Sequence, residues 1–298
     1  MVAPDRDKLR RAFRTAVPRT APAAAEAAPA PPPTAAAPDL RAFLQQRAER
    51  FRAPARPVVE LPPGAEQHGA HGVFWRRELR YPRAHVHGRC VLGSAWRLDG
   101  ARLAALAKDP MFADLDPRQC LFVDTETTGL AGGAGTVVFA YGLGFVDGDD
   151  FVLEQLFLRD FGEEPAVLQH VAARLRERPV QVTFVGKSYD RHRIAARMAV
   201  HKVRAPVLTA PHLDLYHLTR RAHGKALPDT RLGTVERHLL GLSRDCDLPG
   251  SEAPAAFLAW IRDRTGPIDR VLEHNRLDVL SLAALLGFLA GDAAPAAS

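Results

Sequence analysis

Runs of apolar residues predict three strands between residues 118 and 160. The runs span 120–124, 136–146 and 151–158, and the last of them alternates apolar with polar residues as a half-buried strand does. Asp147-Gly148-Asp149 separates the second run from the third and is typical of a hairpin turn. The pattern therefore predicts a meander of three strands.

Helical periodicity dominates the second half of the chain. Residues 163–178 have apolar residues at helical spacing behind an acidic first turn, 180–185 form another apolar run, and 190–201 are predicted to be helical. Further helices are predicted at 214–222, 231–241, 252–264 and 267–290. A meander followed by alternating strand and helix predicts a mixed α/β domain over 118–290, with a tail at 291–298.

The first 117 residues are less regular. Residues 16–38 consist mainly of Ala and Pro and cannot bury enough apolar surface to fold. We therefore predict a disordered tail over 1–62, with a short helix at 39–52. Residues 63–117 are predicted to form a small region whose fold the pattern leaves open, apart from one helix from Ala101 to Lys108.

Composition narrows the class of protein. The chain has 298 residues, 47% of them hydrophobic, and no run approaches the roughly 20 apolar residues that a membrane span needs. Cys90, Cys120 and Cys246 are scattered and form no zinc-binding set, which predicts a reduced, cytoplasmic protein. The net charge of +6 suits a polyanionic partner. An Arg-rich composition inherited from a GC-rich genome would give the same charge.

Two acidic residues end the first predicted strand. Asp124 and Glu126 are separated by one residue, so their side chains point to the same face of a strand. Two carboxylates held on one face repel each other unless a cation lies between them. The alternative is a strand that runs into a polar loop, with both acids in water.

Further acidic residues lie at positions that could complete such a site. Asp190 stands at a strand-to-helix junction, and His274 and Asp278 are four residues apart on one face of the last predicted helix. Four carboxylates could bind two Mg²⁺ or Mn²⁺ ions, which prefer oxygen ligands. His274 has the chemistry of a general base, and its alternative is a helix histidine in an ordinary hydrogen bond.

Two glycine-containing segments resemble nucleotide-binding motifs but do not match them. Gly186-Lys187-Ser188 follows a strand, but a P-loop needs Gly five residues before the Gly-Lys pair, and position 181 is Gln. The Gly-rich loop around Gly133 enters a strand rather than a helix, so it is no dinucleotide fingerprint. We expect it either to let backbone approach a substrate or to be a plain flexible loop.

The order of these motifs resembles the YprB-like branch of the DEDD superfamily of 3′–5′ exonucleases. The motifs that carry the resemblance are Asp-Thr-Glu-Thr-Thr-Gly-Leu-Ala-Gly-Gly-Ala-Gly-Thr (124–136), Val-Gly-Lys-Ser-Tyr-Asp (185–190), His-Leu-Asp-Leu (212–215), Arg-Leu-Gly-Thr-Val-Glu (231–236), Asp-Leu-Pro-Gly (247–250) and His-Asn-Arg-Leu-Asp-Val-Leu-Ser-Leu (274–282). The resemblance implies a ribonuclease-H-like mixed sheet, an antiparallel three-strand meander plus parallel strands, flanked by helices.

The resemblance also implies a role for each site residue. The metal ligands would be Asp124, Glu126, Asp190 and Asp278, and His274 would stand where the superfamily has its base. The expected substrate contacts are Thr127, Gly133, Lys187, Tyr189, Arg193 and Asn275. The superfamily often has Asn five residues before the third acid, where this chain has Val185. Arg193 and Arg197 share a helix face with Asp190 and would contact phosphate or form structural salt bridges.

These observations lead to one hypothesis and two rivals. The hypothesis is a 3′–5′ exonuclease that uses two Mg²⁺ or Mn²⁺ ions on the single-stranded 3′ end of DNA or RNA. The rivals are a nucleic-acid-binding module of the same fold without turnover, and a structure-specific endonuclease. Residues 75–83 mix basic with aromatic residues, which is typical of single-strand binding and equally of an exposed strand edge.

Overall fold

Residues 57–129, 135–244 and 247–291 are described by the computed structural model. Within these ranges the predicted strands and helices of the second half of the chain are confirmed, with bounds that differ by a few residues. The predicted Ala/Pro-rich segment, the short helix at 39–52 and Gly133 lie outside the described residues.

Nine strands and seven α-helices make up the described part of the chain. The strands are β1 (Ala65–Gly69), β2 (Gly72–Pro82), β3 (Val86–His87), β4 (Cys90–Val91), β5 (Cys120–Thr127), β6 (Val138–Asp147), β7 (Asp150–Phe157), β8 (Val180–Thr183) and β9 (His212–Asp214). The helices are α1 (Gly100–Ala107), α2 (Glu164–Glu177), α3 (Asp190–Val200), α4 (Leu215–His223), α5 (Leu232–Val235, continued by a wider turn at Glu236–Leu240), α6 (Ala253–Asp263) and α7 (Ile268–Ala290). None of these helices is long and apolar enough to cross a membrane.

Seven of the strands form one mixed sheet in the order β1-β2-β7-β6-β5-β8-β9. Strands β5, β6 and β7 pair antiparallel as the predicted meander, and β8 and β9 continue the sheet parallel to β5. The predicted fold class is thus confirmed. Strands β1 and β2 belong to the same sheet, because β2 pairs antiparallel with β7, so the sheet extends across the boundary predicted near residue 118.

Strand β2 explains the basic and aromatic residues at 75–83. Trp75 is buried in the core, and Arg76 donates to Glu154 of β7 at 2.6 Å. Glu154 is fully buried and also accepts hydrogen bonds from Arg174 of α2. Burial raises the pKa of Glu154, but hydrogen bonds from His170 and Arg174 outweigh that effect and lower the pKa to about 2. These contacts give this part of β2 a structural role.

Two glycines let helix α7 approach the sheet closely enough to deliver its polar side chains. A Cβ atom at Gly142 would lie 2.6 Å from Asn275 Oδ1, and one at Gly144 would lie 2.6 Å from a methyl group of Val279. Any larger residue at these two positions of β6 would push α7 away. The approach brings the first half of α7 next to the end of β5, where the acidic residues lie.

Candidate active site

A cavity of about 440 Å³ opens where β5 ends against the start of helix α6 and the first half of helix α7. Its lining residues are Asp124, Thr125, Glu126, Thr127, Tyr189, Gly250, Ser251, Pro254, His274 and Asp278. Three of the four predicted metal ligands and the predicted base therefore face one space. The fourth ligand, Asp190, lies next to the lining, because the Thr125 hydroxyl donates a hydrogen bond to its Oδ1.

Asp124 is held by a residue of helix α7. The Asn275 amide donates to Asp124 Oδ2 at 2.8 Å and to the Asp124 carbonyl at 3.3 Å. The oxygen of the same amide accepts a hydrogen bond from Gln155 Nε2 at 3.0 Å. Asn275 is 0% exposed and does not line the cavity, so in this structure its side chain lies beneath Asp124. Both ends of its amide are used inside the protein to fix Asp124.

Glu126 has no comparable support. It lies just before an irregularity in the pairing of β5 with β6, between Glu126 and Thr127, and only 7% of the residue is exposed. Across the described ranges, no hydrogen bond or ion pair to its carboxylate is found. A carboxylate buried without partners is costly, so this position favours a bound cation.

Asp190 is positioned by the loop between β8 and α3. Asp214, at the end of β9, accepts hydrogen bonds from the backbone N–H groups of Val185 at 2.9 Å and Lys187 at 3.0 Å. Gly186 lies between them, and a Cβ atom there would lie 2.6 Å from Thr183 Cβ and 2.8 Å from Asp190 Oδ2. Asp214 also caps helix α4 by accepting a hydrogen bond from Tyr216 N–H.

Val185 has a backbone conformation that suits another residue. Its φ is +65°, in the left-handed region that β-branched residues rarely adopt, and 43% of the residue is exposed. Asn adopts this conformation more readily. We expect Val185→Asn to stabilise the protein by about 1 kcal/mol. Thermal unfolding of the wild type and of Val185→Asn tests this prediction, and an unchanged or lower Tm in the variant would contradict it. Val200→Asn, at an exposed helical position, is the matched control.

The acidic residues of the site raise one another's pKa. The pKa of Asp124 is raised well above its usual value by burial and by the charges of Asp278 and Asp190. The pKa of Glu126 is raised by burial and then by Asp124, Asp278 and Asp190. Burial also raises the pKa of Asp190 to about 6, although the hydrogen bond from Thr125 opposes this. The site thus concentrates negative charge that its own hydrogen bonds do not offset.

One cation, Arg244, lies against the far side of this cluster. It forms ion pairs with Asp278 Oδ1 at 2.5 Å and with Asp247 Oδ2 at 3.2 Å, and it donates to Glu236. His274 Nδ1 lies 2.8 Å from Asp247 Oδ2, and His274 Nε2 lies 3.8 Å from Asp278 Oδ2. Arg244 is therefore shared among three acids, and it forms no ion pair with Glu126 or Asp190.

The residues of the cavity fit divalent cations by their chemistry rather than by a preformed ligand cage. No group of three or more His, Cys, Asp or Glu side chains at 57–129, 135–244 and 247–291 has the arrangement of a metal site. The donors are nevertheless carboxylates, as Mg²⁺ and Mn²⁺ prefer. Glu126 is 7% exposed and has no hydrogen-bond partner in the described part of the chain, whereas Asp278 Oδ1 is already paired with Arg244 and leaves Oδ2 on the His274 side. These oxygens are suited to ligation.

The other predicted substrate contacts are distributed differently. Thr127 and Tyr189 line the cavity, and their hydroxyl groups lie 3.0 Å apart. The Arg193 guanidinium stacks on the Tyr189 ring at 4.9 Å from its centroid. Arg197 instead pairs with the buried Glu164, which supports the salt-bridge alternative. Lys187 lines a separate cavity of about 270 Å³ beside β9 and α4.

Two residues of this site, Arg244 and Asp247, were assigned no role from the sequence, and the support that Asn275 gives to Asp124 was not predicted. Arg244 and Asp247 contact the acidic residues from the chain segment after α5, and Asn275 supports Asp124 from inside the core. No local pattern marks Arg244, because its partners come from other parts of the chain. Asp247 opens the motif Asp-Leu-Pro-Gly (247–250), whose place in the resemblance was the available signal for a role near the site.

Comparisons with known proteins agree with the observed fold. The sequence profile of the RNase_H superfamily matches residues 121–290, more than half of the chain. The chain is also 33% identical over 217 residues to a protein of Bacillus subtilis (strain 168) named "Uncharacterized protein YprB", a match that covers 70% of this chain. The match covers 51% of that relative, so the chain spans about half the length of the curated relative it matches. The predicted YprB-like family with the ribonuclease-H-like fold is confirmed.

Proposed function

Because this chain belongs to the RNase_H superfamily, a superfamily of nucleases, we propose that it is a metal-dependent 3′–5′ exonuclease. Its substrate would be the single-stranded 3′ end of DNA or RNA. The observation that carries the proposal is the cavity that brings Asp124, Glu126, His274 and Asp278 together, with Asp190 directly behind Thr125.

The carboxylates supply the ligands that the proposal requires. Asp124, Glu126, Asp190 and Asp278 would hold two Mg²⁺ or Mn²⁺ ions. Such a pair of ions, when bound, activates a water molecule and stabilises the attacking and leaving oxygens of a phosphodiester. The contribution of the protein is to hold four carboxylates close together. Asn275 orients Asp124, and Thr125 orients Asp190.

His274 supplies the remaining chemistry. It lines the cavity with only 18% of its side chain exposed, and its Nδ1 is engaged by Asp247. Because Nδ1 is engaged, Nε2 is the ring nitrogen that can face a substrate. From that position it can accept the proton of the attacking water, which is the task of a general base. Its position in the first half of α7 places it one helical turn before Asp278.

The dimensions of the cavity favour an end of a strand over a duplex. A volume of about 440 Å³ is that of a site for a small ligand, which suits one terminal nucleotide. Tyr189 offers an aromatic ring at the wall, and Arg193, stacked on that ring, offers a positive charge. Aromatic rings and basic groups together are how proteins bind single strands without reading their sequence.

A substrate panel tests this function. We expect 5′-labelled single-stranded DNA or RNA with a free 3′ end to yield a ladder of shortened products in Mg²⁺ or Mn²⁺. The same oligonucleotide with a 3′-terminal phosphorothioate linkage should resist, and circular single strands should stay intact. Cleavage of the circle would show an endonuclease. If the protein binds the strands but hydrolyses none of them in either metal, it is a binding module.

A further inference from the structure

Asp247 and His274 form a side-chain pair at the wall of the cavity. His274 lies on α7, whereas Asp247 belongs to the segment that precedes α6, and their contact spans 27 residues. His274 Nδ1 lies 2.8 Å from Asp247 Oδ2, a good hydrogen-bond distance. Neither residue is more than a quarter exposed, with side-chain values of 18% and 22%.

This hydrogen bond determines which nitrogen of the ring carries the proton. Two groups approach Nδ1: Asp247 Oδ2 at 2.8 Å, which can only accept, and Arg244 NH1 at 3.4 Å, which can only donate. The contact with Asp247 is the shorter one and 3.4 Å is long for a hydrogen bond, so the geometry favours Nδ1 as the donor to Asp247. In a neutral imidazole the other nitrogen, Nε2, then has the free lone pair. Nε2 is on the Asp278 side of the ring, 3.8 Å from Asp278 Oδ2. The bond therefore directs the basic nitrogen of His274 toward the carboxylates.

Asp247 is itself held in place. Arg244 NH1 lies 3.2 Å from the same Oδ2 that accepts from His274, and the other arm of Arg244 pairs with Glu236, which is buried. The Glu236 carboxylate also accepts from Ser281 of α7. Asp247 is thus fixed from the interior of the protein rather than by solvent.

We propose that Asp247 is a positioning residue that holds His274 in the Nδ1–H tautomer with Nε2 facing the cavity. The inference rests on the proposed function, in which His274 is the general base. It adds a carboxylate that acts through the histidine and is separate from the four acids assigned to metal. A carboxylate that orients a catalytic histidine is a recurring arrangement in enzymes.

A purely structural role for Asp247 is the competing explanation, since Arg244 connects it to Glu236. Glu236→Gln is the matched control, because it weakens the other anchor of Arg244 and leaves the bond between Asp247 and His274 in place. If Asp247 only anchors its segment through Arg244, then Asp247→Ala and Glu236→Gln will have similar effects. If Asp247 positions His274, only Asp247→Ala will change the histidine.

Nuclear magnetic resonance of the metal-free protein labelled with ¹⁵N-histidine reads the tautomer directly. The His274 signal is assigned by its loss in His274→Ala, and spectra are taken at increasing pH until its shifts no longer change, so that the neutral ring is observed. We expect Nδ1–H in the wild type and in Glu236→Gln, and a shift toward Nε2–H in Asp247→Ala. An Nε2–H tautomer in the wild type, or no change in Asp247→Ala, would overturn the proposal.

Kinetics supply the second readout. We expect Asp247→Ala to lower kcat about 10- to 100-fold, the effect typical of losing the group that orients a catalytic ligand, with KM changed less than about twofold. Added to His274→Ala, the substitution should cost nothing more, because its effect passes through the histidine. An additive loss, or a loss of divalent-ion binding in Asp247→Ala, would overturn the proposal. If the wild type has no nuclease activity, the proposed function is wrong. The tautomer measurement would still show whether Asp247 positions His274.

Discussion

Replacing Glu126 with Gln is expected to abolish nuclease activity and at the same time to stabilise the metal-free protein. Activity should fall at least about 10³-fold, because an amide is a poor ligand for a hard cation and the charge that balances the ions is lost. Without metal, the same change removes a buried carboxyl group whose pKa is raised by burial and by the charges of Asp124, Asp278 and Asp190, so above its ordinary pKa this group costs the folded protein stability that Gln does not. We expect Tm in EDTA to rise by roughly 2–4 °C, as stabilising substitutions do in domains of this size.

The matched control is the same substitution at Glu154. Glu154 is as buried as Glu126, but it is paired with Arg76, Arg174 and His170. Glu154→Gln should therefore lower Tm in EDTA, and the activity that remains at low temperature should stay metal-dependent. Thermal unfolding of both variants, with and without Mn²⁺, separates the two cases. A fall in Tm for Glu126→Gln in EDTA would contradict the account of an unbalanced acidic cluster.

Replacing His274 with Ala is expected to lower kcat by about 10²–10⁴-fold, which is the usual contribution of a general base. Divalent-ion binding should change little, because the carboxylates that would hold the ions remain. Single-turnover hydrolysis of a labelled strand measures the chemical step, and the Mn²⁺-dependent rise in Tm of the same variant measures ion binding.

The control for His274→Ala is His68→Ala, which alters an exposed histidine of edge strand β1 and should leave both measurements unchanged. Loss of the Mn²⁺-dependent rise in Tm in His274→Ala would assign His274 to metal binding or to structure. A rate within about threefold of the wild type would remove it from the mechanism altogether.

The strands and helices that the sequence predicts are those with strong local patterns. The meander β5–β7 and helices α2, α3 and α7 carry continuous or periodic apolar residues, and each is observed within a few residues of its predicted bounds. Strand β9 has only three residues, too few for a pattern. Strand β1 is mostly exposed and lacks an apolar face, so only its pairing with β2 reveals its place in the sheet.

The same distinction applies to the site. Asp124 and Glu126 share a face through the strand repeat, and His274 and Asp278 through the helix repeat, so local sequence suffices to pair them. Whether the two pairs meet depends on the close approach of α7 to β6, which Gly142 permits. Contacts between distant segments, such as those of Arg244 and Asn275, leave no local signal.

The most direct test of the central claim is the metal requirement of hydrolysis by the wild-type protein. Purified protein is treated with EDTA, dialysed, and given a 5′-labelled single-stranded oligonucleotide with increasing Mn²⁺ or Mg²⁺, beside Glu126→Gln at the same concentrations. The account predicts no product without metal, stepwise shortening from the 3′ end once either ion is restored, and no such recovery in the variant. Hydrolysis that persists in EDTA, or that Glu126→Gln performs at the wild-type rate, would contradict it.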